Sequence, residues 1–202
     1  MTPSIVQEAT ATESHWSVGD RVTITPQTGT TTAVTARVGA IIDSHALEAP
    51  VILPEKTGLV IPVAGVKAEQ LTDNFSDARG GGSRLHEALD IMAPRGTPVV
   101  AAAAGTVEKL FHSDAGGNTI YVRTPDRKAI HYYAHLDRYV DGLREGQSVT
   151  QGQTLGAVGS TGDASPDAPH LHFEIMQTKP NAKWYEPATS IDPYPLLTGK
   201  QP

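Results

Sequence analysis

The chain has 202 residues, 39% hydrophobic and 19% charged, which leaves room for one compact domain and a smaller appendage but not for two large independent domains. Its formal charge of -6, with no block of Lys and Arg, argues against a polyanion partner, so no nucleic acid is expected. No run of about 18 to 20 apolar residues is present to span a bilayer, and without Cys any zinc site must be built from imidazole and carboxylate.

The 19 Gly and 15 Pro, spread without low-complexity runs, suit short strands and frequent turns, so the expected fold class is all-β. Residues 1–17 are polar, follow neither the helical nor the strand period, and read as a flexible arm. They also lack the apolar stretch of a signal peptide, so work outside the cytoplasm would need an export signal that the given chain does not show. Residues 18–58 read as a small β-rich accessory element. There Val22 and Ile24 alternate, as do Val34, Ala36 and Val38, with the turn-prone Thr25-Pro26-Gln27-Thr28-Gly29 between them.

The main domain is expected over 59–197, with a tail at 198–202. Its strand candidates are Leu89 to Met92, Pro98 to Ala103, Gly105 to Phe111, Thr119 to Arg123, Ala129 to Leu136, Thr154 to Val158 and His170 to Met176. Turn signals at Ala93-Pro94-Arg95-Gly96, Ala115-Gly116-Gly117-Asn118 and Gly159-Ser160-Thr161-Gly162 leave too little chain for crossover helices, so the sheet is expected to be antiparallel. Leu136 to Leu143 carries the one hint of a helix, of one or two turns.

Five of the eight His fall in this domain in company suited to a metal. In His170-Leu171-His172 a strand puts both imidazoles on one face, about 6 to 7 Å apart, so one can bind metal while the other reaches substrate. His86 and Asp90 are four apart and are expected to share a face whether the backbone is extended or helical. With His172 they make a set of two imidazoles and a carboxylate that leaves a fourth tetrahedral position open, the pattern of catalytic zinc, one ion per chain. Such an ion polarises a carbonyl and makes water acidic enough to attack near neutrality. His135 and His170 are then the candidates for moving protons, with His131, Tyr133 and His135 expected on one face as a wall of the cleft. Each element alone has a plainer explanation: His-x-His pairs are common on exposed strands, His86 can cap a turn, and His131 and His135 can be core residues. Four suitably spaced residues in one small domain outweigh those explanations. Asp163 and Asp167, in the Pro-rich segment 160–169 bordering the cleft, are candidates for attracting a substrate amine, and His15 or His45 for blocking the fourth position.

From Leu59 to Asp192 the chain resembles the lysostaphin-like, or LytM-type, M23 family of zinc metallopeptidases. The segments that carry the resemblance run in family order: Arg84 to Ala93 with Pro94-Arg95-Gly96-Thr97-Pro98-Val99, Gly116 to Ile120, Tyr133-Ala134-His135-Leu136, Gly156 to Gly162, and Pro169-His170-Leu171-His172-Phe173-Glu174. The resemblance implies an antiparallel β fold with a groove, zinc on His86, Asp90 and His172, catalytic His135 and His170, and hydrolysis of peptidoglycan peptides in the periplasm or outside the cell. A monomer is the simplest state. Ala88 stands where the family usually has Gly, a departure expected to be tolerated, and the first 58 residues match no recognised module. Two alternatives compete: a non-catalytic LytM-like domain that binds and activates another wall hydrolase, and a phosphocarrier using two close His. An intact ligand set weighs against the first, and a carboxylate beside a phosphate against the second.

Overall fold

The computed structural model describes residues 21–24, 34–38, 52–54, 58–82 and 84–200, and the chain divides into two compact units between Thr57 and Gly58. The arm expected over 1–17, His15, His45 and the last two residues of the expected tail lie outside the described residues.

In the first unit, β1 (Arg21–Ile24), β2 (Val34–Val38) and β3 (Ile52–Pro54) form an antiparallel sheet in that order. Val22 stands opposite Ala36 and Ile24 opposite Val34, the pairing that the alternation predicts. The third strand was not expected, because three residues are too few to show a period.

The second unit opens with a two-stranded ribbon, β4 (Ala78–Arg79) and β5 (Arg84–Leu85). A nine-stranded sheet follows: β6 (Leu89–Met92), β7 (Pro98–Val100), β8 (Gly105–Ser113), β9 (Gly117–Arg123), β10 (Ala129–Tyr139), β11 (Ser148–Val149), β12 (Thr154–Val158), β13 (His170–Gln177) and β14 (Thr189–Ile191). Every strand pair in it is antiparallel, and one short helix, α1 (Pro193–Thr198), completes the unit. The antiparallel, all-β expectation therefore holds for the described residues. The hint of a helix over 136–143 does not. Leu136, Arg138 and Tyr139 are committed to Val158, Ala157 and Gly156 of β12, and these ladder bonds override a weak local preference.

Strand β10 organises the unit. Along one edge it pairs with β9, and along the other it changes partner midway: Ala129 to Ala134 face β13, while Leu136 to Tyr139 face β12. His135 sits at the changeover with a left-handed backbone (φ 59), and the register against β9 slips at the same place. This is a β-bulge, which re-aims a side chain at the point where pairing is interrupted.

Beneath the sheet Leu89, Ile91, Tyr133, Leu171 and Phe173 pack in the core with at most 1% exposure. The Tyr133 hydroxyl accepts the Ala102 N–H at 2.9 Å, so its burial leaves no polar group unmet.

His131 is also a core residue, 3% exposed, with its ring 5.9 Å from Phe173 and its Nδ1 unpartnered. Burial pushes its pKa from 6.5 down to about 4. The unfolded chain therefore takes up this proton at higher pH than the folded one. The stability His131 contributes is complete above pH 6.5 and is lost as pH falls toward 4, an effect of about 3 kcal/mol. His131→Leu is expected to flatten the acid-side loss of stability in chelator-treated protein, read from urea midpoints across that range. Unchanged slopes would mean that the imidazole titrates in the fold as it does in the open chain.

Candidate functional site

The alternation of β13 works as expected. Leu171 and Phe173 are fully buried, and His170 and His172 point the other way into a groove also lined by Arg79, Arg84, His86, Asp90, Tyr132, Ala134, His135 and Asp163. On the neighbouring strand Leu89 and Ile91 go to the core and Asp90 to the groove, directly across from His172.

His86 reaches the same place by a route that spacing alone does not give. In an extended strand, side chains four residues apart are separated by about 13 Å, too far to share an ion. The expectation that an extended backbone would bring His86 to Asp90 is therefore corrected. The strand breaks between Leu85 and Leu89, Glu87 adopts a left-handed conformation (φ 59), and the chain folds His86 back over Asp90. Backbone bonds from His86 N–H to Asp77 O (2.9 Å) and from Glu87 N–H to Phe75 O (2.8 Å) hold the turn. Ala88 is fully buried and does not carry the positive φ, which is why an added methyl is accommodated there.

Three donor atoms converge. His86 Nε2 lies 2.9 Å from Asp90 Oδ1 and 3.0 Å from His172 Nδ1, and His172 Nδ1 lies 3.1 Å from Asp90 Oδ1. Bonds of about 2.0 to 2.1 Å to a tetrahedral zinc imply edges of about 3.3 Å, so the set fits with a shift of a few tenths of an ångström. Protonation supports the fit. His86 Nδ1 is 2.9 Å from the Asn74 carbonyl, which only accepts, so Nδ1 carries a proton and Nε2 is the nitrogen turned to the Asp90 carboxylate. That nitrogen either donates a hydrogen bond to Asp90 or, once deprotonated, gives its lone pair to an ion in the corner. The Asn74 carboxamide oxygen accepts the Asp90 N–H (3.1 Å), and Arg79 donates to Asp90 Oδ2 (2.8 Å), leaving Oδ1 for the corner. Burial alone would raise the Asp90 carboxyl, but hydrogen bonds and charge from His172 and His86 outweigh it and hold it well below the usual carboxylate range.

The two remaining histidines use the same device. His135 Nδ1–H donates to Thr161 O and His170 Nδ1–H to Ala168 O, both at 2.8 Å, so each presents a bare Nε2 to the groove. Their rings are 5.0 Å apart, with His170 Nε2 3.7 Å from Asp90 Oδ1. Burial lowers the His135 pKa, the bond to Thr161 partly counters it, and the neighbouring His172 and His170 lower it further. Thr161 is itself fixed: its hydroxyl donates to Leu136 O (2.8 Å) and accepts the Asn118 N–H (2.9 Å). The turns at 115–118 and 159–162 interlock here, since a Cβ on Gly117 would collide with Thr161 and one on Gly162 with the Ala115 carbonyl.

The bulge corrects the expected face. His131 and Tyr133 go to the core, whereas His135 is turned to the side of Tyr132 and Ala134, which line the groove. A left-handed His costs on the order of 1 to 3 kcal/mol and persists only where the surroundings enforce it. His135→Gly is accordingly expected to leave the melting temperature unchanged or raised and yet to abolish hydrolysis. A lower melting temperature would show that no strain is stored there.

The structure thus brings together all five residues named from the sequence and adds Asn74, Arg79, Arg84, Tyr132 and Thr161. Asp163 lines the groove as expected, but Asp167 does not.

Residues 84–187, more than half of the chain, match the description "Peptidase family M23". Among curated proteins, the L-Ala–D-Glu endopeptidase of Bacillus subtilis is 39% identical over 129 residues, covering 61% of this chain and 38% of its own length. The peptidoglycan DD-endopeptidase ShyC of Vibrio cholerae is 37% identical over 111 residues, 53% of this chain and 24% of its own. This chain therefore spans well under half of either relative. A solved zinc-containing peptidase of Vibrio cholerae shares the fold with a TM-score of 0.50 at 25% identity, covering 71% of this chain and 43% of that one. Because the matched stretch contains His86, Asp90, His135, His170 and His172 and lies on the antiparallel sheet described above, the chain belongs to peptidase family M23.

Proposed function

We propose that residues 59–197 form a zinc-dependent endopeptidase acting on bacterial peptidoglycan peptides, with one ion held by His86, Asp90 and His172. The observation that carries the reading is the convergence of three donor atoms, one of them an imidazole nitrogen turned to a carboxylate by the bond its other nitrogen makes to Asn74. A bound zinc ion supplies Lewis acidity toward the scissile carbonyl and toward water. His170 Nε2, bare and beside Asp90, takes a proton from the attacking water as its oxygen bonds to the carbonyl carbon, and returns it to the leaving nitrogen as the C–N bond breaks. His135 supports the same proton traffic from the opposite wall. Tyr132, whose hydroxyl burial keeps protonated, lines the groove and is hydrogen-bonded to Tyr121.

The two curated relatives, named for an L-Ala–D-Glu bond and for peptidoglycan, support a wall peptide as substrate and action in the cell envelope. Among the described residues no helix is long and apolar enough to cross a membrane. The complete donor set weighs against a binding-only LytM-like role. Digestion of defined wall peptides, followed by mass measurement with and without chelator, is expected to show single peptide-bond cuts that disappear on chelation. Intact peptides in both arms would refute the reading.

A further inference from the structure

Arg79 and Arg84 stand directly opposite each other in the ribbon of β4 and β5. Like charges in that position destabilise a strand pair, and this pair has only two residues on each side. Arg79 is relieved by Asp90. Arg84, exposed on the groove wall, has no ion pair among the described residues, in a chain that is otherwise acidic overall. An unrelieved guanidinium in an unfavourable pairing at the mouth of a groove is a place prepared for an anion. Its planar fork matches a carboxylate with two parallel hydrogen bonds.

A charge of the opposite sign is set apart from it. Asp163 lies on the segment 160–169, its backbone N–H fixed to Ala115 O at 2.9 Å, and its carboxylate has no hydrogen bond or ion pair among the described residues. It is close enough to Tyr132 and His135 for its charge to act on both. The cationic residue thus lies two positions before His86, on the ribbon leading into the donor corner, and the anionic one on the segment bonded to Ala115, near His135.

We propose that the groove selects peptides that carry a carboxylate beside Arg84 and an ammonium beside Asp163, on opposite sides of the bond to be cut. This rests on the peptidase reading and adds the charge class of its substrate. A run of uncharged residues such as glycines would gain nothing from either group, so it is bound less well than a peptide carrying both charges.

The test uses zinc-loaded full chain and uncleavable ketomethylene peptides with a carboxylate on one side of the isostere and an amine on the other, in both orders. Each charge is left free or blocked, as amide or acetyl. Blocking the carboxylate is expected to weaken binding roughly 10- to 100-fold for the wild type and less than twofold for Arg84→Gln. Blocking the amine has the corresponding effect for the wild type and little for Asp163→Asn. Wild-type binding that ignores both blocks, or a carboxylate preference that survives in Arg84→Gln, overturns the proposal. Binding is read without cleavage, so failure of matched cleavable peptides to be cut counts against the peptidase reading alone.

Discussion

Replacing His170 by alanine is expected to lower kcat roughly 100- to 10,000-fold while the protein retains one zinc per chain. The argument is geometric. His170 presents a bare Nε2 because Ala168 O holds its other nitrogen, and it stands beside the donor corner without belonging to it: its distance to Asp90 Oδ1 is 3.7 Å, against 2.9 and 3.1 Å for His86 and His172. Its loss removes a proton acceptor and leaves all three donors in place, so kcat should fall far more than KM rises. Activity within tenfold of wild type would remove His170 from the chemistry. Loss of zinc in the same variant would make it a ligand instead.

Chelation is expected to lower the melting temperature on the order of 10 °C relative to protein in excess zinc, because an ion bound only by the folded state at 1,000 times its Kd adds about 4 kcal/mol. In the metal-free chain His86 Nε2 and the Asp90 carboxylate oxygen are already held at 2.9 Å by bonds to Asn74 and Arg79 that do not depend on the ion. The corner is thus built before a cation arrives, and a proton on His86 is what zinc displaces. His172→Ala should abolish both the zinc-dependent rise and hydrolysis, since two protein donors seldom hold zinc in a catalytic site. An identical melting temperature with zinc and with chelator in the wild type would refute the assignment of the corner.

Much of this arrangement can be read from residue spacing. Leu171 between His170 and His172, and Leu89 and Ile91 around Asp90, announce two half-buried strands with their polar residues on one side. The misreadings have a common cause. Period-2 reasoning assumes an unbroken strand, and both departures occur where a non-glycine residue turns left-handed, at Glu87 and at His135. No propensity marks those positions, because the conformation is imposed by long-range pairing: β10 is claimed by β13 on one side of His135 and by β12 on the other. The bonds that orient the imidazoles are equally silent, since Asn74, Thr161 and Ala168 make them through backbone carbonyls that any residue type possesses. The opposition of Arg79 and Arg84 becomes visible only when the ribbon is paired.

The separation between His86 and His172, 86 positions along the polypeptide, has a consequence for biosynthesis. A growing chain cannot close the three-donor corner until β13 has emerged and docked against β6, however early His86 and Asp90 are made. The same connectivity makes the slow, non-local steps of folding the event that completes the corner.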